Sequence, residues 1–94
     1  MLGSERYIYM AEVLKAMAHP TRLFILDKLT ERDYCVGELK ELIGVDISTV
    51  SRHLMVLKQA GIIGSQKSNN QVFYKLLRPC VLEVYHCIYN KRSD

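Results

Sequence analysis

The stretch GELKELIGVDISTVSRHLMVLKQAGII, residues 37–63, decides the fold of this chain. Its apolar spacing predicts a brief helix that opens at Gly37. Gly44 is the expected stop, because glycine is the favoured residue just past a helix end. Three side chains of this helix are expected to face inward: Leu39, Leu42 and Ile43. A tight turn over residues 45–47 should follow it.

A second helix is predicted from about Ser48 to Ala60, with Asp46 or Ser48 as its cap and Gly61 at its end. Its apolar residues recur at i, i+4 and i+7, the spacing of a single core-facing stripe: Val50, Leu54 and Leu57. The front end of this helix is polar, and folding alone does not account for it. The polar side chains there are Ser48, Thr49, Ser51, Arg52 and His53.

Upstream, the sequence predicts two more helices and a short extended segment. Ser4 can cap a helix from Glu5 to about Ala18, whose apolar residues cover more than one face. Such a helix is usually held between its own core and something else, often a partner subunit. Pro20 suits the first position of a helix that runs to about Thr30. Residues 34–36, YCV, are short and extended.

From Ile62 the apolar period changes to two, which predicts strands in IIGSQK and QVFYKLL. Ser68-Asn69-Asn70 is a turn sequence between them. Pro79 should start a last helix that runs to about Asn90. We therefore predict a mainly α fold with a β-hairpin wing (α+β), in the order ααααββα. Residues 1–94 would form one winged helix-turn-helix domain.

Length and composition narrow the class of protein. The 94 residues suit one domain, at a size where dimerisation is a common source of stability. A net charge of +3 permits a polyanionic partner. No apolar run approaches the roughly 20 residues of a membrane span, and no signal peptide is expected before the first helix, so we expect a cytoplasmic protein without a membrane partner. The sequence offers no nucleophile with a base and an orienting group, no phosphate loop and no carboxylate pair in a plausible pocket, so we do not expect an enzyme.

The polar front end of the second helix fits a DNA-reading surface. A recognition helix enters the major groove with its N-terminal residues at the base edges. Ser48, Thr49 and Ser51 could donate to phosphates or bases, Arg52 could bind guanine in bidentate fashion, and His53 could contact either. The hairpin tip could reach the adjacent backbone or minor groove through Lys67, Asn69, Asn70 and Gln71. The alternatives are a merely solvated helix face, or a winged helix used only for protein interaction.

Three segments together resemble the ArsR/SmtB family of metal- and thiol-responsive bacterial and archaeal repressors. They are LKAMAHPTRLFILDKL, YCVGELKELIGVDISTVSRHLMVLKQAGII and VFYKL, in order along nearly the whole chain. The resemblance implies a homodimer joined through the first and last helices. It also implies a double-stranded DNA operator with two-fold symmetry, released when an inducer binds.

The three cysteines, Cys35, Cys80 and Cys87, form neither an even set nor a CxxC pair, so no disulfide framework is expected. The family resemblance places Cys35 where CVC or CVG motifs supply a metal-binding thiolate. Here Gly37 replaces the second cysteine, Glu38 could stand in for an aspartate, and the N-terminal segment offers no cysteine or histidine before His19. The resemblance also implies a last-helix site, but its positions are Arg78, Cys80, Lys91 and Asp94. Two of these are cationic, so a zinc site of that design is not expected.

Several roles for the cysteines remain open. Cys80 and Cys87 are seven apart, about 10.5 Å along a helix axis, too far to chelate one ion together. A thiol pair across a dimer interface, or Cys35 with a last-helix cysteine, could bind As(III), Sb(III) or another thiophilic metal ion. The same pairings would suit an oxidant or sulfane-sulfur switch. Otherwise the cysteines are small core hydrophobes in a constitutive regulator. His86, next to Cys87, is not expected to face it.

Overall fold

The computed structural model describes residues 4–93, with the side chains of residues 4–90. Over that range the chain has five helices and three strands. They are α1 (Glu5–Met17), α2 (Pro20–Leu29), β1 (Tyr34–Cys35), α3 (Val36–Ile43), α4 (Ile47–Gln59), β2 (Ile63–Ser68), β3 (Gln71–Leu76) and α5 (Val81–Ser93). This is the predicted winged helix-turn-helix, with one strand added before α3.

The helix ends follow from local capping. Ser4 caps α1 by accepting from the Arg6 amide, and Pro20 occupies the first position of α2. Gly44 ends α3 in the left-handed conformation at φ 84°, as its position predicted. Asp46 caps α4, so this helix begins one residue before the expected Ser48. The last helix begins at Val81 rather than Pro79, and Cys80 therefore precedes it.

The sheet is antiparallel in the order β1-β3-β2. The predicted hairpin is confirmed, with Ser68 opposite Gln71 and a two-residue turn between them. Both turn residues, Asn69 and Asn70, have positive φ, which asparagine tolerates better than most residues. Residues 34–36 were predicted to be extended, but the predicted order ααααββα has no strand there. Tyr34 and Cys35 form β1, in which Tyr34 pairs with Tyr74, whereas Val36 begins α3. Two residues are too few to show a strand alternation, so this strand is defined only by its pairing with β3.

The core sits where α4 packs against α2, α3 and β2. The predicted stripe of α4 is confirmed, because Val50, Leu54 and Leu57 are all essentially inaccessible to solvent. Burying each such side chain contributes about 1.5–3 kcal/mol. Leu42 was expected to face inward with Leu39, but it is 50% exposed. Its neighbour Ile43, in the same turn of α3, is partly buried against the core, so this turn packs through Ile43 and leaves Leu42 on the solvent side.

Two helices leave large apolar side chains in solvent. On α1 only Ala16 and Met17 are buried. The exposed apolar side chains of α1 and α5 include Tyr7, Ile8, Met10, Leu14, Val84, Ile88 and Tyr89. The prediction that α1 is apolar on more than one face is consistent with this exposure. Among the described residues, none of the helices has the length and hydropathy needed to cross a membrane.

Candidate nucleic-acid interface

The buried stripe of α4 determines which of its side chains point outward. Because that stripe is fixed in the core, the opposite face of the helix is turned to solvent. Ser48, Ser51 and Arg52 are exposed on this face, and Thr49 is half-buried. No hydrogen bond within the described part of the chain engages the side chains of Ser51 or Arg52. The guanidinium of Arg52 is therefore free to bind a partner.

The first turn of α4 is organised around one carboxylate. Asp46 accepts the Thr49 amide at 3.1 Å, the Thr49 hydroxyl at 2.7 Å and the Ser48 hydroxyl at 2.5 Å. Hydrogen bonds from Ser48, and then from Thr49, hold the pKa of the Asp46 carboxyl well below its usual range. The Thr49 amide and both hydroxyl protons are therefore already donated within the protein. The sequence predicted Asp46 as one of two candidate caps. It did not predict that the hydroxyls of Ser48 and Thr49 donate to the Asp46 carboxylate.

His53 packs against a residue outside the helix-turn-helix. Its ring centroid lies 4.5 Å from that of His19, and the two rings are tilted by 44°. His19 also caps α2, since its Nδ1 accepts the Thr21 amide at 3.1 Å. Burial lowers the pKa of His53, and the neighbouring positive groups of His19, Arg22 and Arg52 lower it further. His53 is half-buried, whereas its neighbour Arg52 is exposed to solvent.

The wing places its tip residues in solvent. Lys67, Asn69, Asn70 and Gln71 are all exposed around the hairpin turn. The wing is tied to α4 by a hydrogen bond from Lys58 Nζ to Ser65 Oγ, 2.7 Å long. Sequence reasoning missed Lys58, whose partner lies seven residues away on a different element. The bond connects the C-terminal half of α4 with β2.

Cys35 lies in the protein interior, and Cys80 and Cys87 lie on the surface. All three are free thiols. The Cys35 amide donates to Glu38 Oε1 at 3.0 Å, and Arg32 binds both carboxylate oxygens of Glu38 at 3.3 Å. These contacts, first that of the Cys35 amide and then that of Arg32, lower the pKa of Glu38. Glu38 therefore caps α3 and pairs with Arg32, rather than standing free as a ligand.

The described residues contain no group of three or more histidine, cysteine or acidic side chains able to hold a metal ion. Cys87 and His86 border the same shallow groove of about 430 Å³, together with Glu83 and Thr30. The two neighbours thus share a groove although adjacent helical positions point in different directions. Arg78 lies with its guanidinium carbon 5.9 Å from the Tyr9 ring centroid. Asp94 and the side chain of Lys91 lie outside the described residues.

Two short helices at a tight turn, an outward polar face on the second and an antiparallel wing define a winged helix-turn-helix DNA-binding protein. Comparison with known proteins specifies the family. Residues 19–65 match the arsR family of bacterial regulatory proteins. The chain belongs to this family, whose members regulate transcription and are not enzymes.

Individual relatives agree with this assignment. The biofilm growth-associated repressor of Xylella fastidiosa is 34% identical over 79 residues, which are 84% of this chain and 69% of that protein. HlyU from Vibrio cholerae superimposes with a TM-score of 0.82 at 31% identity, covering 92% of this chain and 97% of HlyU. The homodimeric winged helix-turn-helix DNA-binding domain of Mb0332 from Mycobacterium bovis has a TM-score of 0.80 at 26% identity. That match covers 99% of this chain and 91% of the Mb0332 domain.

Proposed function

We propose that residues 1–94 act as one domain that binds a specific operator and represses transcription. The observation that carries this proposal is the orientation in which α4 packs against the core. Its buried stripe fixes the helix, while Ser51 and Arg52 face outward without internal partners. An exposed guanidinium at the front of a recognition helix suits bidentate binding of guanine O6 and N7. The other proposed DNA contacts are Ser48, Thr49, His53, Lys67, Asn69, Asn70 and Gln71.

A second copy of the chain would cover the apolar side chains on α1 and α5. An apolar groove of about 390 Å³ runs between these helices and α2, lined by Leu14, Met17, Leu23, Val84 and Ile88 among others. A small domain seldom leaves such a patch in water. A two-fold dimer would present two copies of α4, and its operator would then be a double-stranded DNA site with matching symmetry. Such a regulator would act in the cytoplasm, with no membrane partner.

Release from the operator would depend on the thiols. Cys80 and Cys87 are exposed, so a thiophilic ion such as As(III) or Sb(III), or a thiol-modifying oxidant, could reach them without unfolding the domain. Cys35 is buried, so its participation would require the short β1 strand to open. A constitutive regulator, in which none of the three cysteines acts as a sensor, is the second candidate. The burial of Cys35 against the core favours it.

The DNA-binding part is tested by selecting duplexes from a random pool and measuring their affinity at fixed salt. Arg52→Ala should weaken the selected duplex at least tenfold and relax preference at one base position in each half-site. Arg6→Ala, on α1, is the matched control and should leave that preference unchanged. A winged helix used only for protein interaction would select no duplex at all.

The sensing part is tested on the same duplex. Arsenite, antimonite, zinc, cadmium, hydrogen peroxide and polysulfide would each be titrated into the wild-type complex and into Cys35→Ser, Cys80→Ser and Cys87→Ser variants. Loss of the response in one or two variants supports a thiol sensor and assigns its residues. A wild-type complex that no reagent releases supports the constitutive regulator.

A further inference from the structure

Hydrogen bonds within the protein decide which side-chain groups in the first turn of α4 can still donate to a partner and which can only accept. An ionised carboxylate can only accept hydrogen bonds, whereas a hydroxyl has one proton to donate and two lone pairs to accept with. The Ser48 and Thr49 hydroxyls both lie within hydrogen-bond distance of Asp46. Each hydroxyl must therefore be the donor in its contact with the carboxylate. Both protons are consumed, and only lone pairs remain for a partner.

We propose that Asp46 is a specificity-determining positioning residue, which makes Ser48 and Thr49 read hydrogen-bond donors on DNA. In the major groove the donors are the exocyclic amino groups, N6 of adenine and N4 of cytosine. Guanine O6 and N7 and thymine O4 are acceptors, and acceptor-only hydroxyls gain nothing from them. This inference rests on the proposed function, since it requires α4 to lie in the major groove.

The same geometry excludes a contact that recognition helices often make. Phosphate oxygens only accept, so neither hydroxyl can bind them while Asp46 holds both protons. The Thr49 amide, which could otherwise point at a phosphate, also donates to Asp46. The negative charge of Asp46 further disfavours a phosphate at this helix end. Ser48 and Thr49 would thus contribute base choice beside that of Arg52, and the exposed cation Lys67 on the wing would contribute attraction to the backbone.

A role as helix cap alone does not account for the two hydroxyl contacts of Asp46. Capping needs one acceptor for the Thr49 amide, and asparagine supplies that acceptor about as well as aspartate does. Asp46→Asn should therefore keep the cap while changing the polarity. The amide has one acceptor oxygen and an NH₂ donor group, so at least one of the two hydroxyls regains a proton to offer. Ser51, which does not contact Asp46, provides a neighbouring hydroxyl for comparison.

The experiment uses the full chain and the duplex that wild-type protein selects from a random pool. Each adenine in a half-site is replaced in turn by purine, and each cytosine by pyrimidin-2-one, which deletes only the amino group. We expect the wild-type affinity to fall about three- to tenfold at one or two positions, the loss of a single hydrogen bond. Ser48→Ala or Thr49→Val should abolish that discrimination at the corresponding position. Ser51→Ala should retain it.

Asp46→Asn should reduce the discrimination at those same positions and raise affinity for duplexes with guanine or thymine there. The inference is overturned if wild-type protein is indifferent to every amino deletion. It is equally overturned if Asp46→Asn strengthens binding to all duplexes by one factor, since that is the effect of removing a negative charge. If Asp46→Asn fails to fold by circular dichroism, the Ser48→Ala and Thr49→Val arms decide. Failure to select any duplex would instead contradict DNA binding itself.

Discussion

The imidazole rings of His19 and His53 lie 4.5 Å apart, where the start of α2 meets the middle of α4. This contact joins the residue that caps α2 to the recognition helix, so the two helices share one small cluster of basic groups. Arg22 and Arg52 are the other members of that cluster. We therefore expect this cluster to make the stability of the domain depend on pH.

Acidification should destabilise the fold through His53. Its folded-state pKa is lowered, first by burial and then by His19, Arg22 and Arg52, so the unfolded chain binds protons more readily. The contribution of neutral His53 to the free energy of unfolding is fully present above the unfolded pKa of about 6.5 and is lost as pH falls below it. Urea unfolding at a series of pH values between about 7.5 and 5 measures this slope. His53→Gln should flatten it.

His86→Gln is the control for that measurement, because His86 is an exposed histidine on α5. It should leave the slope unchanged. The lowered pKa of Asp46 also costs stability on acidification, but only below its unfolded value near pH 4, which separates the two effects. An unaltered slope in His53→Gln would show that the His19–His53 contact does not couple protonation to folding.

Leu54→Ala should lower the free energy of unfolding by about 2–5 kcal/mol, because it leaves a cavity in the centre of the core. Leu54 is 1% exposed, between Val50 and Leu57 on the buried stripe. Met55→Ala is the matched control on the same helix, since Met55 is 57% exposed and should change stability by less than about 0.5 kcal/mol. Urea denaturation measures both. Similar losses in the two variants would contradict the orientation of α4.

The tip of the wing should favour glycine over a β-branched residue at Asn70. Asn70 has φ 68°, a conformation in which a β-carbon is strained. Asn70→Val should destabilise the domain by about 1–2 kcal/mol, whereas Asn70→Gly should be neutral or slightly stabilising. Thermal unfolding compares the variants. Equal stability of the valine and glycine proteins would contradict the two-residue turn.

Ile88→Glu should convert the proposed dimer into a monomer. Ile88 is 66% exposed on α5 and lines the apolar groove between α1 and α5. A buried, unpaired carboxylate at an apolar interface is costly. Light scattering after size exclusion measures the mass, and Met55→Glu, on α4, is the control that should stay dimeric. A wild-type protein that is monomeric at micromolar concentration would contradict the dimer.

Among the candidate contacts, exposure of Ser51 and Arg52 followed from the sequence. Once Val50, Leu54 and Leu57 define the buried side of a helix, the periodicity of 3.6 residues places Ser51 and Arg52 on the other. The capture of Ser48 and Thr49 by Asp46 also has a local signal, since their hydroxyls stand two and three residues after the cap. The packing of His53 on His19 has no local signal in the sequence, because the two residues are far apart in the chain.

The sequence by itself determined the helix-turn-helix and the wing. Those features rest on short-range physics: the glycine that stops α3, the stripe of α4, and the asparagine turn between β2 and β3. Only the tertiary structure decided the pairing of β1 with β3, the exposure of Leu42, the Lys58–Ser65 bond and the contact of His19 with His53. Each of these depends on which elements approach one another, and that approach is set by packing of the whole core rather than by the residues concerned.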